Sequence, residues 1–176
     1  QRLIKDCPII FYTGSLVPRE VLSWASADAE ILDSAEMHLD EIMEIFRRAK
    51  NEIKDVARVH TGDPSLFSSV AEQTRRLDEL EIEWEVVPGV SSFSAGAAAL
   101  KQELTLPELS QTVIITRMEG RTPVPEGEKL KDLAKHGATM ALFLSANLIG
   151  KIVSDLKEIY PEDYPVSVVQ KASWKD

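Results

Sequence analysis

Apolar residues along the chain alternate between short runs that suit strands and longer stretches, spaced three and four apart, that suit helices. Pro8–Tyr12 predicts a strand, followed by a turn and a helix opening near Pro18, a residue suited to a first helical turn. Glu30–Leu32 predicts a short strand, and Leu39–Lys50 a helix with Leu39, Ile42, Met43 and Phe46 on one face. Asp55–His60 predicts a strand, and Leu66–Leu80 a helix in which Val70, Leu77 and Leu80 are spaced for burial. Trp84–Val87 follows as a strand and Ser92–Leu100 as a helix of small residues.

The periodicity lapses over Leu104–Ser110, with Pro107 inside it, and this lapse reads as an interdomain connection. Beyond it come strand Thr112–Thr116, helix Lys129–His136 with Gly137 placed as its cap, strand Met140–Leu144, helix Ala146–Tyr160 and strand Pro165–Gln170. Strands alternating with helices predict α/β architecture: two α/β domains, residues 1–107 and 108–176, built on mostly parallel or mixed sheets.

Ligands of open α/β sheets bind beyond the carboxyl ends of the strands. Here those ends run into Thr13-Gly14-Ser15-Leu16, Thr61-Gly62-Asp63-Pro64-Ser65, Pro88-Gly89-Val90-Ser91-Ser92, Arg117-Met118-Glu119-Gly120-Arg121 and Ser145-Ala146-Asn147. Glycine admits a ligand close to the backbone, and small hydroxyl or acidic residues at helix starts cap free N–H groups. Gly-Asp-Pro and Pro-Gly are also ordinary turns, so the set of loops, not any one of them, makes the pocket expectation. Asp63, held extended by the proline after it, reads either as a cap or as a group that receives a polar ligand.

Composition narrows the class. With 44% hydrophobic residues the chain can bury a core, while its longest apolar runs are too short to cross a bilayer, so no membrane partner is expected. A net charge of −9 argues against nucleic acid as partner, because that affinity rests largely on Lys and Arg displacing counterions. The single cysteine, Cys7, cannot form an internal disulfide, which together with the lack of a basic-then-apolar leader makes a cytoplasmic location the expectation. His60 and Asp63 lack a third ligand at recognisable spacing, so no metal is expected. Neither a Gly-x-Ser-x-Gly elbow nor a Walker lysine loop is present.

Taken together, Tyr12-Thr13-Gly14-Ser15-Leu16, His60-Thr61-Gly62-Asp63-Pro64-Ser65 and Val87-Pro88-Gly89-Val90-Ser91-Ser92 resemble the cobalamin-pathway branch of the tetrapyrrole methylases. The stretches 104–117, Glu119-Gly120-Arg121-Thr122-Pro123-Val124-Pro125, 143–149 and Lys171-Ala172-Ser173-Trp174 narrow the resemblance to the group that methylates C11 of precorrin-4. The resemblance covers essentially the whole chain. It implies two α/β domains with a ligand cleft between them, a homodimer, and S-adenosylmethionine as the methyl donor, leaving as S-adenosylhomocysteine. Carried over by motif, donor contacts fall at Thr61, Gly62, Asp63, Leu66, Ser91, Ser92, Leu144 and Ala172, the last standing where relatives often carry glycine. Family members open with a further strand and a Gly-rich loop and continue past Ala-Ser-Trp. The resemblance therefore implies a piece of the enzyme lacking both ends, and leaves open whether that piece is active by itself.

No catalytic dyad is required, because positioning alone contributes up to about 7–11 kcal/mol. Precorrin carries several carboxylates, which makes Arg117 and Arg121 candidates for substrate contacts, with ordinary surface charge as their alternative. The function expected is methyl transfer to C11 of precorrin-4 or cobalt-precorrin-4. The alternatives are methylation of another corrin position, of diphthine or of ribosomal RNA, or a non-catalytic ligand-binding α/β module.

Overall fold

The computed structural model describes residues 1–14, 17–120 and 122–174. The chain folds as two compact units, one comprising Gln1–Ser92 and the other beginning at Phe93. The division falls after Ser92, the first residue of α4 (Ser92–Leu100), and Gly96 of this helix packs against Val169.

In the first unit, α1 (Arg2–Asp6) leads into β1 (Ile9–Tyr12), the middle strand of a three-stranded parallel sheet. Its neighbours are β2 (Glu30–Asp33) and β3 (Val56–Arg58), paired in the registers Ile9↔Glu30 and Ile9↔Val56. All four residues of β1 are buried, as a parallel strand covered on both faces must be. Ile9 and Phe11 face α2 (Leu39–Asn51), which contributes Ile42, Met43, Phe46 and Ala49, joined by Leu77 of α3 (Val70–Glu79). Phe11 and Phe46 stack with centroids 5.7 Å apart. The other face of the sheet packs Ile10 and Ala57 against Ile4 and Cys7. Burying a side chain such as Phe11 stabilises by roughly 1.5–3 kcal/mol, so β1 is the strand the unit is built around. The start of α2 is fixed by His38, whose backbone N–H donates to Glu41 Oε2 at 2.7 Å.

The second unit holds α4, β4 (Val113–Arg117), α5 (Leu130–Ala134), β5 (Thr139–Phe143) and α6 (Ile149–Leu156). β4 and β5 pair in parallel from Val113↔Thr139 to Arg117↔Phe143. Met118, Leu130 and Ile152 form its buried cluster. The helix expected over 129–136 ends at Ala134 with Lys135 as its cap, and Gly137, at φ +63°, turns the chain after it, its N–H donating to Ala134 O at 3.1 Å.

Some elements differ from expectation. The segment after Pro18 is a 3₁₀ turn, Arg19–Trp24, not an α-helix. The helix expected from Leu66 begins only at Val70, because Phe67 and Ser69 take left-handed φ values of 53° and 54° that interrupt the helical turn. The helix expected over 146–160 is a 3₁₀ turn, Ala146–Leu148, followed by α6, which stops at Leu156. Residues 84–87 and 165–170 are not strands: neither segment pairs with another strand among the described residues, and both are largely exposed. Trp84 is anchored instead by its indole N–H, which donates to Asp78 Oδ1 at 2.8 Å.

Candidate functional site

Beyond the carboxyl end of β3, the chain runs through Val59, whose N–H donates to Phe11 O at 2.7 Å, into the Gly-Asp-Pro loop. Gly62 has φ +64°, a conformation that side chains rarely tolerate, and its backbone lies against Val90, Ser91 and Ser92: a Cβ there would meet Ser92 N at 3.4 Å. Gly89 has even less room. Any side chain would be driven into the Gly62 carbonyl oxygen. The two loops therefore meet backbone to backbone, which is why glycine stands at both crossing points.

Asp63 ties them together. Its Oδ2 accepts the Gly89 N–H at 2.9 Å, and its Oδ1 accepts the Ser65 N–H at 2.8 Å together with the Ser65 hydroxyl. The Ser65 hydroxyl, then the Gly89 and Ser65 amides, hold the Asp63 carboxyl below the ordinary carboxylate range. Both readings of Asp63 are thus narrowed: it caps its own turn and also latches a loop 26 residues further on. Leu66 is half-buried behind this turn, its N–H donating to Asp63 O at 3.2 Å. Thr61 and Ser92 are exposed at the rim.

Ser91 is the unusual member. It is 7% exposed, yet its hydroxyl has no hydrogen-bond partner. A buried hydroxyl without a partner costs about 1–3 kcal/mol, and this one stands on the loop that abuts Gly62. Thr61, Gly62, Asp63, Leu66, Ser91 and Ser92 are accordingly gathered on two abutting loops of the first unit.

In the second unit, Arg117 ends β4 and Leu144 follows the end of β5, so both stand at the same edge of the β4–β5 pair. Arg117 Nη2 donates to Pro123 O at 3.2 Å. Leu144 is 70% exposed with φ 54°, a left-handed conformation for a γ-branched residue. Beneath it, Ser145 Oγ accepts the Met118 N–H at 2.7 Å and donates to Phe143 O at 2.6 Å, locking the ends of the two strands. Ala172 is exposed in the turn before Trp174, and Arg121 lies outside the described residues. The Gly89 latch, the Gly62–Gly89 crossing and the orphan hydroxyl were missed in the sequence; only the two Gly-containing motifs pointed toward them.

Over residues 1–176 the chain matches the tetrapyrrole (corrin/porphyrin) methylases. The chain belongs to the tetrapyrrole methylases. It is 51% identical to the cobalt-precorrin-4 C(11)-methyltransferase of Methanocaldococcus jannaschii, covering 100% of this chain and 68% of that protein. It is 50% identical to the precorrin-4 C(11)-methyltransferase of Pseudomonas aeruginosa, covering 100% and 70%. The X-ray structure of a cobalamin biosynthetic enzyme, the cobalt precorrin-4 methyltransferase CbiF, superposes with a TM-score of 0.96 at 46% identity, covering 99% of this chain and 74% of that one. The parallel sheets of this methylase are those of that fold.

Proposed function

We propose that this methylase transfers a methyl group from S-adenosylmethionine to C11 of precorrin-4 or cobalt-precorrin-4 in cobalamin biosynthesis. The observation that carries the reading is the agreement, over the whole chain and at about half of its positions, with relatives named for that reaction. The chemistry of the site fits the donor. Thr61, Gly62, Asp63, Leu66, Ser91 and Ser92 would hold it, with the unpartnered Ser91 hydroxyl as the polar group it would satisfy. Leu144 and Ala172 keep the donor contacts that the family resemblance assigns them.

A sulfonium donor supplies a methyl group already attached to a good leaving group. The protein's task is then to orient and to exclude water. Gly62 and Gly89 bring two backbones together without intervening side chains, and Asp63 fixes their spacing. Such fixing is what converts binding into rate, because misplacement by about 1 Å can cost a hundredfold. Asp63 acts here by shaping the loops, both its carboxylate oxygens being engaged within the protein.

Arg117 and Arg121 are assigned to the carboxylates of the tetrapyrrole. Replacing Arg117 by Ala in the full-length enzyme is expected to raise KM for precorrin-4 about tenfold with little change in kcat; an unchanged KM removes the assignment. The enzyme is further proposed to act in the cytoplasm, as its single buried thiol suits a reducing compartment, and to work as a homodimer, as the resemblance implies. No described helix is long and apolar enough to cross a membrane. The deciding experiment is mass spectrometry of the product formed by the full-length enzyme from precorrin-4 and from cobalt-precorrin-4 with labelled donor. Methyl incorporation at C11 of either is the expected result. Incorporation at another carbon, or heat on titration with S-adenosylhomocysteine but no turnover of either acceptor, overturns the C11 reading.

A further inference from the structure

Three arginines of the helices lie beside acids. Arg47 meets Glu44 at 2.8 Å, Arg48 meets Glu30 at 2.7 Å, and Arg76 meets Asp40 at 2.9 Å, all at the surface. Arg58 is the opposite case. It sits at the last position of β3, opposite Phe11 in the register, with its guanidinium 5.9 Å from the centroid of that buried ring. Among the described residues, no carboxylate lies within 4.0 Å of it, in a chain whose net charge is −9. Among the described residues its one hydrogen bond runs from Nη1 to Ser34 Oγ at 2.8 Å, and that hydroxyl already donates to Tyr12 O. Arg58 Nε is buried with no partner at all.

A charge taken out of water without a counterion is costly, and a guanidinium with unused N–H donors on a fixed planar fork is the side chain best suited to receive a carboxylate. Burial alone pushes this guanidinium down from its ordinary value, with no acid acting in the other direction. His60, two residues on, is pushed down too, by burial and then by Arg58 itself, so the pair holds no negative charge of its own. Arg58 ends the strand that delivers Thr61-Gly62-Asp63, and its neighbour in the sheet, β1, delivers Thr13 and Gly14. The guanidinium, with its Nε unpartnered, thus belongs to the residue at the end of β3, three positions before the loop assigned to ligands.

We propose that Arg58 receives a carboxylate of a bound ligand, either a side-chain carboxylate of the tetrapyrrole or the methionyl carboxylate of the methyl donor. This rests on the methylase reading above. Binding would give the unpartnered N–H groups an acceptor and the buried charge its counterion, so the free protein carries a penalty that the ligand relieves.

The test uses the full-length enzyme with Arg58→Met and Arg58→Lys. Dissociation constants for S-adenosylhomocysteine, by calorimetry, and KM for precorrin-4 are measured at low and high salt. Arg58→Met is expected to raise the constant of whichever ligand supplies the carboxylate, and that constant alone, by about tenfold. It should also flatten that constant's dependence on salt. A rise confined to S-adenosylhomocysteine assigns the methionyl carboxylate; a rise confined to precorrin-4 assigns the tetrapyrrole. Arg58→Lys keeps the charge but loses the fork, and should lie about threefold from wild type; it decides the matter if the Met variant does not fold. Both constants within twofold of wild type overturn the proposal while leaving the methylase reading intact. A joint rise of both, with a lower melting temperature and a wild-type salt dependence, marks a packing role and overturns it as well. If the wild-type chain binds neither ligand, the methylase reading falls and takes this assignment with it.

Discussion

The two units prepare their strand ends in different ways. In the first, the Gly-Asp-Pro and Pro-Gly loops are latched to each other by Asp63, pressed together at Gly62 and Gly89, and left with one buried hydroxyl to satisfy. In the second, Ser145 locks the strand ends beneath the surface, while Leu144 stands above them 70% exposed and Ala172 is exposed in its turn. One set of loops is finished before any ligand arrives; the other offers side chains that still have contacts to gain. If the proposed site holds, a donor meeting the first set loses little by ordering it, and most of its affinity is expected there.

The sharpest way to break this contrast is at Gly89. Gly89→Ala forces apart the crossing with Gly62, and affinity for S-adenosylhomocysteine should fall about a hundredfold, measured by calorimetry. An affinity within threefold of wild type would show that the latch does not shape the donor site. A smaller effect is expected from pH. Because the Asp63 carboxyl is lowered in the folded protein, its contribution is complete above the ordinary value of 3.8 and is lost as pH falls through the lowered value. Affinity for S-adenosylhomocysteine should therefore stay flat from neutrality down to that ordinary value; a decline beginning well above it would mean the latch titrates as a free acid.

Ser91→Ala should move two quantities in opposite directions. Removing a buried, unpartnered hydroxyl should stabilise the ligand-free protein by about 1 kcal/mol in denaturant melts, while weakening S-adenosylhomocysteine about threefold to tenfold. A variant that is both less stable and unchanged in binding would assign the hydroxyl to the fold. Smallest of all, Leu144→Ala should leave stability unaltered, as an exposed position allows, and change donor affinity only about twofold. A tenfold loss there would erase the distinction between the two sets of loops.

How much of this was written in the sequence depends on the range of the interaction. Strand β1 and helix α2 were legible because burial follows from local spacing, as Ile42, Met43 and Phe46 show. The alternation at 84–87 and 165–170 was equally visible, but a strand is defined by a hydrogen-bonded neighbour, and spacing does not reveal whether one exists. Helix α3 started late because Phe67 and Ser69 adopt left-handed φ, which no propensity for those residues foretells. At the site, Gly62, Asp63, Ser91 and Ser92 could be named from motifs. That Asp63 spends its carboxylate on Gly89 could not, since the partner lies far along the chain and glycine carries no side chain to announce it.

Cys7 lies against Ile4, Ile10 and Ala57, under the sheet face away from α2. Burial first, then the nearby Asp55 and Asp6, push its thiol upward, and it is the thiolate that reacts. With no second cysteine in the chain, alkylation at neutral pH would proceed only when this layer lifts off the sheet. The protein thus carries its own clock for the opening of its first unit, readable as a single mass increment and slowed by any ligand that holds β1 and β3 in place.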